Sequence, residues 1–249
     1  MKISLKTPEE IAKMRAAGEI AGRILNELKK TAKVGMTTKE LDEIALKKIL
    51  ETGSKPSFLG FSGYPGAICI SVNDEVVHGI PGKRVLREGD IVGLDIGVFK
   101  NGYHADTAIT FGLGKITPEA EKLLLVTCEA LQEGLNECQA GKYLGDVQNK
   151  IQTVIEKANF GIVKDLTGHG IGQNLQEPPS IPNYGHPGSG PKLEVGMTLA
   201  IEPMVTLGDW HVQTLKDNWT IVTRDHSLSA HFEHTVAITA NGPQILTEV

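Results

Sequence analysis

Apolar positions recur along this chain in two alternating periods, and the switches between them divide it into helices and strands. Ile11, Met14, Gly18, Ala21, Leu25 and Leu28 fall on one face at the spacing of an amphipathic helix. Thr7-Pro8-Glu9-Glu10 opens that run, with Thr7 as N-cap, Pro8 at the first helical position and Glu10 closing a capping box. Gly35 ends the region. Thr37 and Glu40 make a second capping box, and Leu41, Ile44, Ala45 and Leu50 carry a second helix to a stop at Gly53. Residues 67–72 and 91–98 change to the period of a strand, and residues 94–107, LDIGVFKNGYHADT, read as two strands joined by a turn at Lys100-Asn101-Gly102. On the first strand Val92, Leu94, Ile96 and Val98 share one face, and Ile91, Gly93, Asp95 and Gly97 the other. On the second, Asp106 shares its face with His104, Ala108 and Thr110.

The second half repeats the first. Thr117-Pro118-Glu119 echoes Thr7-Pro8-Glu9 and opens a helix through Leu124, Cys128, Leu131 and Leu135; Gly141 echoes Gly35; residues 147–158 form a further helix that stops near Gly161. LREGDIVGLDIGV (86–98) matches LEVGMTLAIEPMV (193–205), with Leu, Gly, an acid and the final Val at the same offsets, so Glu202 takes the place of Asp95. DTAIT from Asp106 resembles EHTVAIT from Glu233. A repeat at this scale predicts one α/β (α+β) domain over residues 1–249, built from halves at about 7–112 and 117–242. The halves are expected to be helix-helix-strand units related by a pseudo-two-fold axis, forming a curved antiparallel sheet with helices on its outer face.

Composition narrows the class. The chain has 249 residues, of which 40% are hydrophobic, and a formal net charge of -5, which argues against a nucleic-acid groove. Three cysteines without framework spacing suit a reducing compartment. The start MKISLKTPEE has no apolar targeting segment and no apolar run reaches membrane-spanning length, so the expectation is a cytoplasmic, non-membrane protein.

The axis changes the meaning of the acids. It brings Asp95, Asp106, Glu202 and Glu233 together, and carboxylates buried side by side are untenable unless something neutralises them. Two divalent cations balance four negative charges, and metals about 3.5–4 Å apart activate water and polarise a carbonyl. Thr198, Ala200 and Met204 share the strand face of Glu202 by period. In Thr167-Gly168-His169-Gly170-Ile171-Gly172 the glycines leave the His169 imidazole unobstructed, making it the best nitrogen ligand. His78, followed by Gly-Ile-Pro, suits a hydrogen-bonding group more than a ligand. His104, His186, His211, His226 and His234 read as packed or solvated; His231 shares the period-two face of Glu233, where a supporting contact is expected. The loop at 54–67 carries Phe58, Phe61 and Tyr64, aromatics expected to line a pocket.

These segments resemble a known family. TPEEIAKMRAAGEI, GYPGAICISVNDEVVHGIPG, GDIVGLDIGVFKNGYHADTAITF, GHGIG, LAIEPM and SLSAHFEHTVAIT are together similar to the type I methionine aminopeptidases, in the short form without an N-terminal zinc-binding extension. The resemblance runs from about Thr7 onward and implies the pita-bread fold. It also implies Asp95, Asp106, His169, Glu202 and Glu233 as ligands of two divalent ions, with a metal-bridging hydroxide as nucleophile and Glu202 as acid/base. By the same resemblance His78 contacts the substrate amide, and Phe58, Phe61, Tyr64, Cys69, Leu175 and Trp219 form the methionine pocket. Asn73 and Ser229 would lie at a monovalent cation. The ligand set accepts Mn, Fe, Co or Zn. The implied partners are peptide and nascent-chain N-termini, with transient ribosome contact, and the implied state is a monomer.

One position departs from the family pattern. A second catalytic histidine usually follows the GHGIG segment; here Leu175-Gln176-Glu177 places Gln176 there, expected to assist the substrate carbonyl in its stead. Two alternatives remain at this point. X-Pro peptidases of the prolidase type share the fold and five ligands but usually carry an added N-terminal domain, and a non-catalytic binding protein could use the same scaffold.

Overall fold

The helix starts form as their sequences dictate. In this computed structural model, which describes residues 3–249 and leaves Met1 and Lys2 outside the described residues, the first helix, α1, spans Pro8–Thr31. The Thr7 hydroxyl accepts the Glu10 N–H, and the Glu10 carboxylate accepts the Thr7 N–H at 2.8 Å. Thr37 and Glu40 do the same for α2, Thr38–Glu51, and Gly53 follows it in the left-handed region at φ 70°. In the second half, α3 spans Pro118–Glu137, with the Thr117 hydroxyl accepting the Ala120 N–H. The fourth helix, α4, spans Leu144–Lys157 and so begins earlier than the apolar pattern from Val147 suggests. The Asp146 carboxylate accepts the Tyr143 N–H and supplies a cap that hydrophobic period does not reveal. After α4 the left-handed residue is Asn159 (φ 59°), whereas Gly161 opens a short strand, Gly161–Ile162.

Among the described residues the large sheet has nine antiparallel strands. Its order is Lys55–Pro56, Ile91–Lys100, Tyr103–Gly112, Glu233–Thr239, Thr198–Ile201, Gly168–Gly170 and Glu177–Ile181. Cys69–Val72 also pairs with Ile91–Lys100, and Gly242–Ile245 with Glu233–Thr239. The central hairpin turns through Asn101 and Gly102 at φ 53° and 85°, the two-residue primed turn that matches strand twist. Its register sets Asp95 opposite Ala108 and Gly97 opposite Asp106, so both acids point to one face. The other face, Val92, Leu94, Ile96 and Val98, packs on Ala17, Ile24, Leu28, Leu41 and Ile49 of α1 and α2. The second half mirrors this, with Leu199, Ile201, Val236 and Ile238 under Leu123, Leu131, Leu135, Val147 and Ile151 of α3 and α4. Residues at equal offsets in the repeat also share backbone conformation: Gly35 and Gly141 at φ 91° and 94°, Gly89 and Gly196 at 90° and 98°.

The halves join where Tyr103–Gly112 pairs with Glu233–Thr239, Ala108 opposite Glu233 and Thr107 opposite His234. Helices cover one face of the curled sheet and the acids occupy the other. Two sequence readings need correction. The period through Thr198 to Met204 is not one strand, because Met204–Thr206 belongs to a separate sheet with Ser229–His231 and Gly161–Ile162. Pro203 has no N–H to continue the ladder, so Glu202 sits in the break between the two sheets. The strand read from Ala67 begins at Cys69, since the Ala67 and Ile68 N–H groups donate to the Asp42 carboxylate instead of a neighbouring strand. Cys69, Cys128 and Cys138 are free thiols, and no helix among the described residues is long and apolar enough to cross a membrane.

Candidate metal centre and substrate cavity

The uncovered face of the sheet opens into a cavity of about 680 Å³. Asp95, Asp106, His169, Glu202 and Glu233 all line it, each delivered by a different part of the topology. Asp95 and Asp106 come from the hairpin, Glu233 from the start of the seam strand, Glu202 from the break before Pro203, and His169 from the Gly168–Gly170 strand. Ligand atoms of Asp106, His169 and Glu233 lie within 4.8 Å of one another, and His169 Nε2 is 3.6 Å from Glu202 Oε1.

The seam holds the acids through buried threonines. The Thr235 hydroxyl accepts the Asp106 N–H at 2.9 Å and donates to the Asp106 carbonyl at 2.8 Å. The Thr107 hydroxyl donates to the Glu233 carbonyl at 2.8 Å. His169 is oriented just as closely: Nδ1–H donates to the Gly170 carbonyl at 2.8 Å, which leaves the Nε2 lone pair facing the acids. A Cβ on Gly168 would lie 2.4 Å from the Ala200 carbonyl oxygen, so glycine is what lets this strand approach its neighbour.

The electrostatics are those of a site built for cations. Oδ1 of Asp95 and Oδ1 of Asp106 are buried without a hydrogen-bond partner. Burial, then the neighbouring Asp106 and Glu202 charges, push the Asp95 carboxyl well above its ordinary range. Burial and Glu202 raise Asp106 to about 7; burial raises Glu202 to about 7. Glu233 is raised well above its ordinary value by burial and then by Asp106, Glu202 and Asp95. Orphaned carboxylate oxygens beside an imidazole with a free lone pair are a donor set that fits hard-to-borderline divalent ions.

Above this floor stand the walls. Phe58, Phe61, Tyr64, Cys69, Leu175 and Trp219 all line the cavity, as does His78. Phe58, Tyr64, Cys69 and Leu175 are buried, whereas Phe61 is 39% exposed at the rim. Trp219 meets Tyr64 edge-on at 5.1 Å between ring centroids and His78 at 6.1 Å. His78 has a left-handed backbone (φ 58°), a strained conformation for a non-glycine residue, and burial pushes its imidazole down to about 4, so it is neutral near pH 7. Gln176 is exposed at the mouth. Asn73 and Ser229 lie elsewhere: the Ser229 N–H donates to the Asn73 carbonyl, while the Asn73 side chain bonds Asp90 and the Ile91 N–H.

A profile of metallopeptidase family M24 matches residues 12–240. Methionine aminopeptidase 1 of Bacillus subtilis is 52% identical over 247 residues, covering 99% of this chain and 100% of that one. This chain belongs to the methionine aminopeptidases of family M24. Methionine aminopeptidase of Thermotoga maritima superposes with a TM-score of 0.98 at 45% identity, with full coverage of both chains. Prolidase from Pyrococcus furiosus shares the pita-bread fold at a TM-score of 0.79, but at 22% identity and over 65% of its own length. Family membership thus agrees with the resemblance read from the motifs, and the much higher identity to the methionine enzymes sets the prolidase alternative behind.

Leu166, Thr167 and Met204 also line the cavity. Met204 does so on the side its spacing from Glu202 suggests, and Thr167 adjoins the GHGIG motif, whereas Leu166 carries no signal in the sequence. His231 is a buried imidazole whose Nε2 lies 3.6 Å from Glu202 Oε2 and has no hydrogen-bond partner.

Proposed function

We propose that this protein is a metal-dependent aminopeptidase that removes N-terminal methionine from peptides and nascent chains with a small second residue. The observation that carries this reading is the convergence of Asp95, Asp106, His169, Glu202 and Glu233, with orphaned buried carboxylate oxygens, at the floor of an aromatic- and thiol-walled cavity. Those five residues would hold two divalent ions, of Mn, Fe, Co or Zn. When bound, the ions supply Lewis acidity toward the scissile carbonyl and lower the pKa of water. The chain's own groups do the rest. Glu202, whose carboxylate lies 3.6 Å from His169 Nε2 on the cavity floor, serves as acid/base. Neutral His78 can hydrogen-bond the substrate amide. Tyr64, Phe58 and Trp219 offer aromatic faces and edges to the methionine thioether, a favourable sulfur contact, while Cys69 and Leu175 close the pocket. The proposed setting is the cytoplasm, with the protein acting as a monomer on free or ribosome-borne N-termini.

Comparing hydrolysis of Met-Ala-Ser, Met-Leu-Ser and Ala-Pro-Ser tests this. The first is expected to be cleaved at least tenfold faster than the second, and the third not at all. Preference for the proline peptide would transfer the reading to prolidase-like chemistry, and no cleavage by metal-loaded protein would favour a binding role.

Gln176 is proposed to replace the family's usual second histidine as a donor to the carbonyl oxygen. Its amide donates but does not titrate near neutrality. Removing one such donor typically costs about 2.7–4 kcal/mol, whereas exchanging one neutral donor for another costs less. Gln176→Ala is therefore expected to lower kcat, and Gln176→His to leave it close to wild type while adding pH dependence near ~6.5. Single-turnover rates check this; an unchanged kcat for Gln176→Ala where chemistry limits turnover would reduce Gln176 to a lining residue.

A further inference from the structure

We propose that Lys6 is a positioning residue of the substrate cavity, holding through Glu177 the loop that carries Leu175 and Gln176. This rests on the methionine-removal reading above. Lys6 is 7% exposed, although lysine is rarely buried without a partner. Its Nζ lies 2.6 Å from Glu177 Oε2, and both side chains are almost out of solvent. The backbone of Lys6 is itself fixed, its N–H donating to the Gly196 carbonyl at 2.7 Å.

Glu177 passes this restraint into loop 172–177. Its second oxygen accepts the Asn174 N–H at 3.1 Å, and the Asn174 carbonyl accepts the Gly172 N–H at 3.1 Å. A Cβ on Gly172 would meet Lys6 Cε at 2.5 Å and Glu177 Oε1 at 2.7 Å, so the ion pair packs directly on the loop backbone. Outside the loop is a second cavity of about 310 Å³, bordered by Ser4, Lys6, Glu10 and Tyr103. Glu177 and Pro178 line this cavity and the substrate cavity alike, so the wall between them is a single layer of chain. The Lys6–Glu177 pair supports that layer from behind. Leu175, on the same loop, is buried among Phe58, Tyr64 and Cys69, and Gln176 stands at the mouth.

A buried carboxylate that loses its cation must be rehydrated or protonated, and either disturbs its surroundings. Here the disturbed element is the substrate-facing loop, where small displacements cost large factors in rate. The loop carries none of the five proposed metal-holding residues, so the effect should leave metal binding alone.

The test uses full-length, metal-loaded protein with Lys6→Met, Glu177→Gln and the double variant, each assayed on Met-Ala-Ser alongside calorimetric metal binding. Wild-type cleavage of Met-Ala-Ser tests the functional reading separately, so failure of either idea can be told apart. Each single variant is expected to lose at least tenfold in kcat/KM per folded molecule, with metal affinity within twofold of wild type. The double variant, with no charge stranded, is expected to be no worse than the poorer single. Folded single variants within twofold of wild type in kcat/KM would overturn the proposal, as would losses that simply multiply in the double variant or that track loss of metal. If Lys6→Met does not fold, Glu177→Gln, which keeps the side-chain shape and an acceptor oxygen, decides the matter by the same kcat/KM criterion.

Discussion

Asp106→Asn is expected to lower kcat/KM for a methionine peptide by about a thousandfold or more while the protein stays folded. A thousandfold corresponds to about 4 kcal/mol of transition-state stabilisation, within the several kcal/mol that divalent ions supply to a developing oxyanion. Asparagine keeps the volume of aspartate, and the Thr235 hydroxyl bonds to the backbone of residue 106, so the seam should survive the change. What is lost is the anionic oxygen at the point where ligand atoms of Asp106, His169 and Glu233 converge within 4.8 Å. Steady-state kinetics with metal content measured in parallel checks this. A variant retaining more than a tenth of wild-type kcat/KM would remove Asp106 from the site.

The metal-free protein should become less stable as pH rises, and metal should reverse the trend. Asp95, Asp106, Glu202 and Glu233 all hold their protons more tightly in the fold than free side chains do. For a carboxyl so raised, the stabilising contribution is complete below the unfolded value, near ~4, and is lost as pH rises through the folded one. The window therefore opens near ~4 and extends through about 7, where Asp106 and Glu202 titrate, and beyond for Asp95 and Glu233. A rise from 3.8 to about 7 at buried Asp106 corresponds to about 4 kcal/mol. The four groups interact, so their contributions do not add. Thermal melts of chelated protein from pH 5 to 8 should show a falling Tm that divalent metal restores, with proton release on binding measurable by calorimetry in buffers of different ionisation enthalpy. A chelated protein whose Tm is flat across that range, or whose metal binding releases no protons, would contradict the electrostatic account.

Much of this was readable from the chain because it is encoded locally or by repetition. The capping boxes at Thr7 and Thr37 lie within four residues, and the Asn101-Gly102 turn lies within the hairpin that aligns Asp95 with Asp106. The repeat carries longer-range information, since its equal offsets put Glu202 in the place of Asp95. What escaped was long-range or broke the period. Pro203 divides a run that reads as one strand into pieces of two sheets, although Glu202 and Met204 both still line the cavity as their spacing suggests. The Lys6–Glu177 pair joins residues 171 positions apart, and neither neighbourhood marks its partner. Gln176 was visible only as a departure from a family pattern, and its exposed position at the mouth comes from the fold.

The most direct measurement of the central claim is a titration of chelated protein with divalent metal, following Met-Ala-Ser hydrolysis and bound metal together. The account predicts no turnover without metal, recovery that parallels occupancy, and saturation at two ions per chain. Full turnover by protein shown by elemental analysis to be free of metal would contradict it.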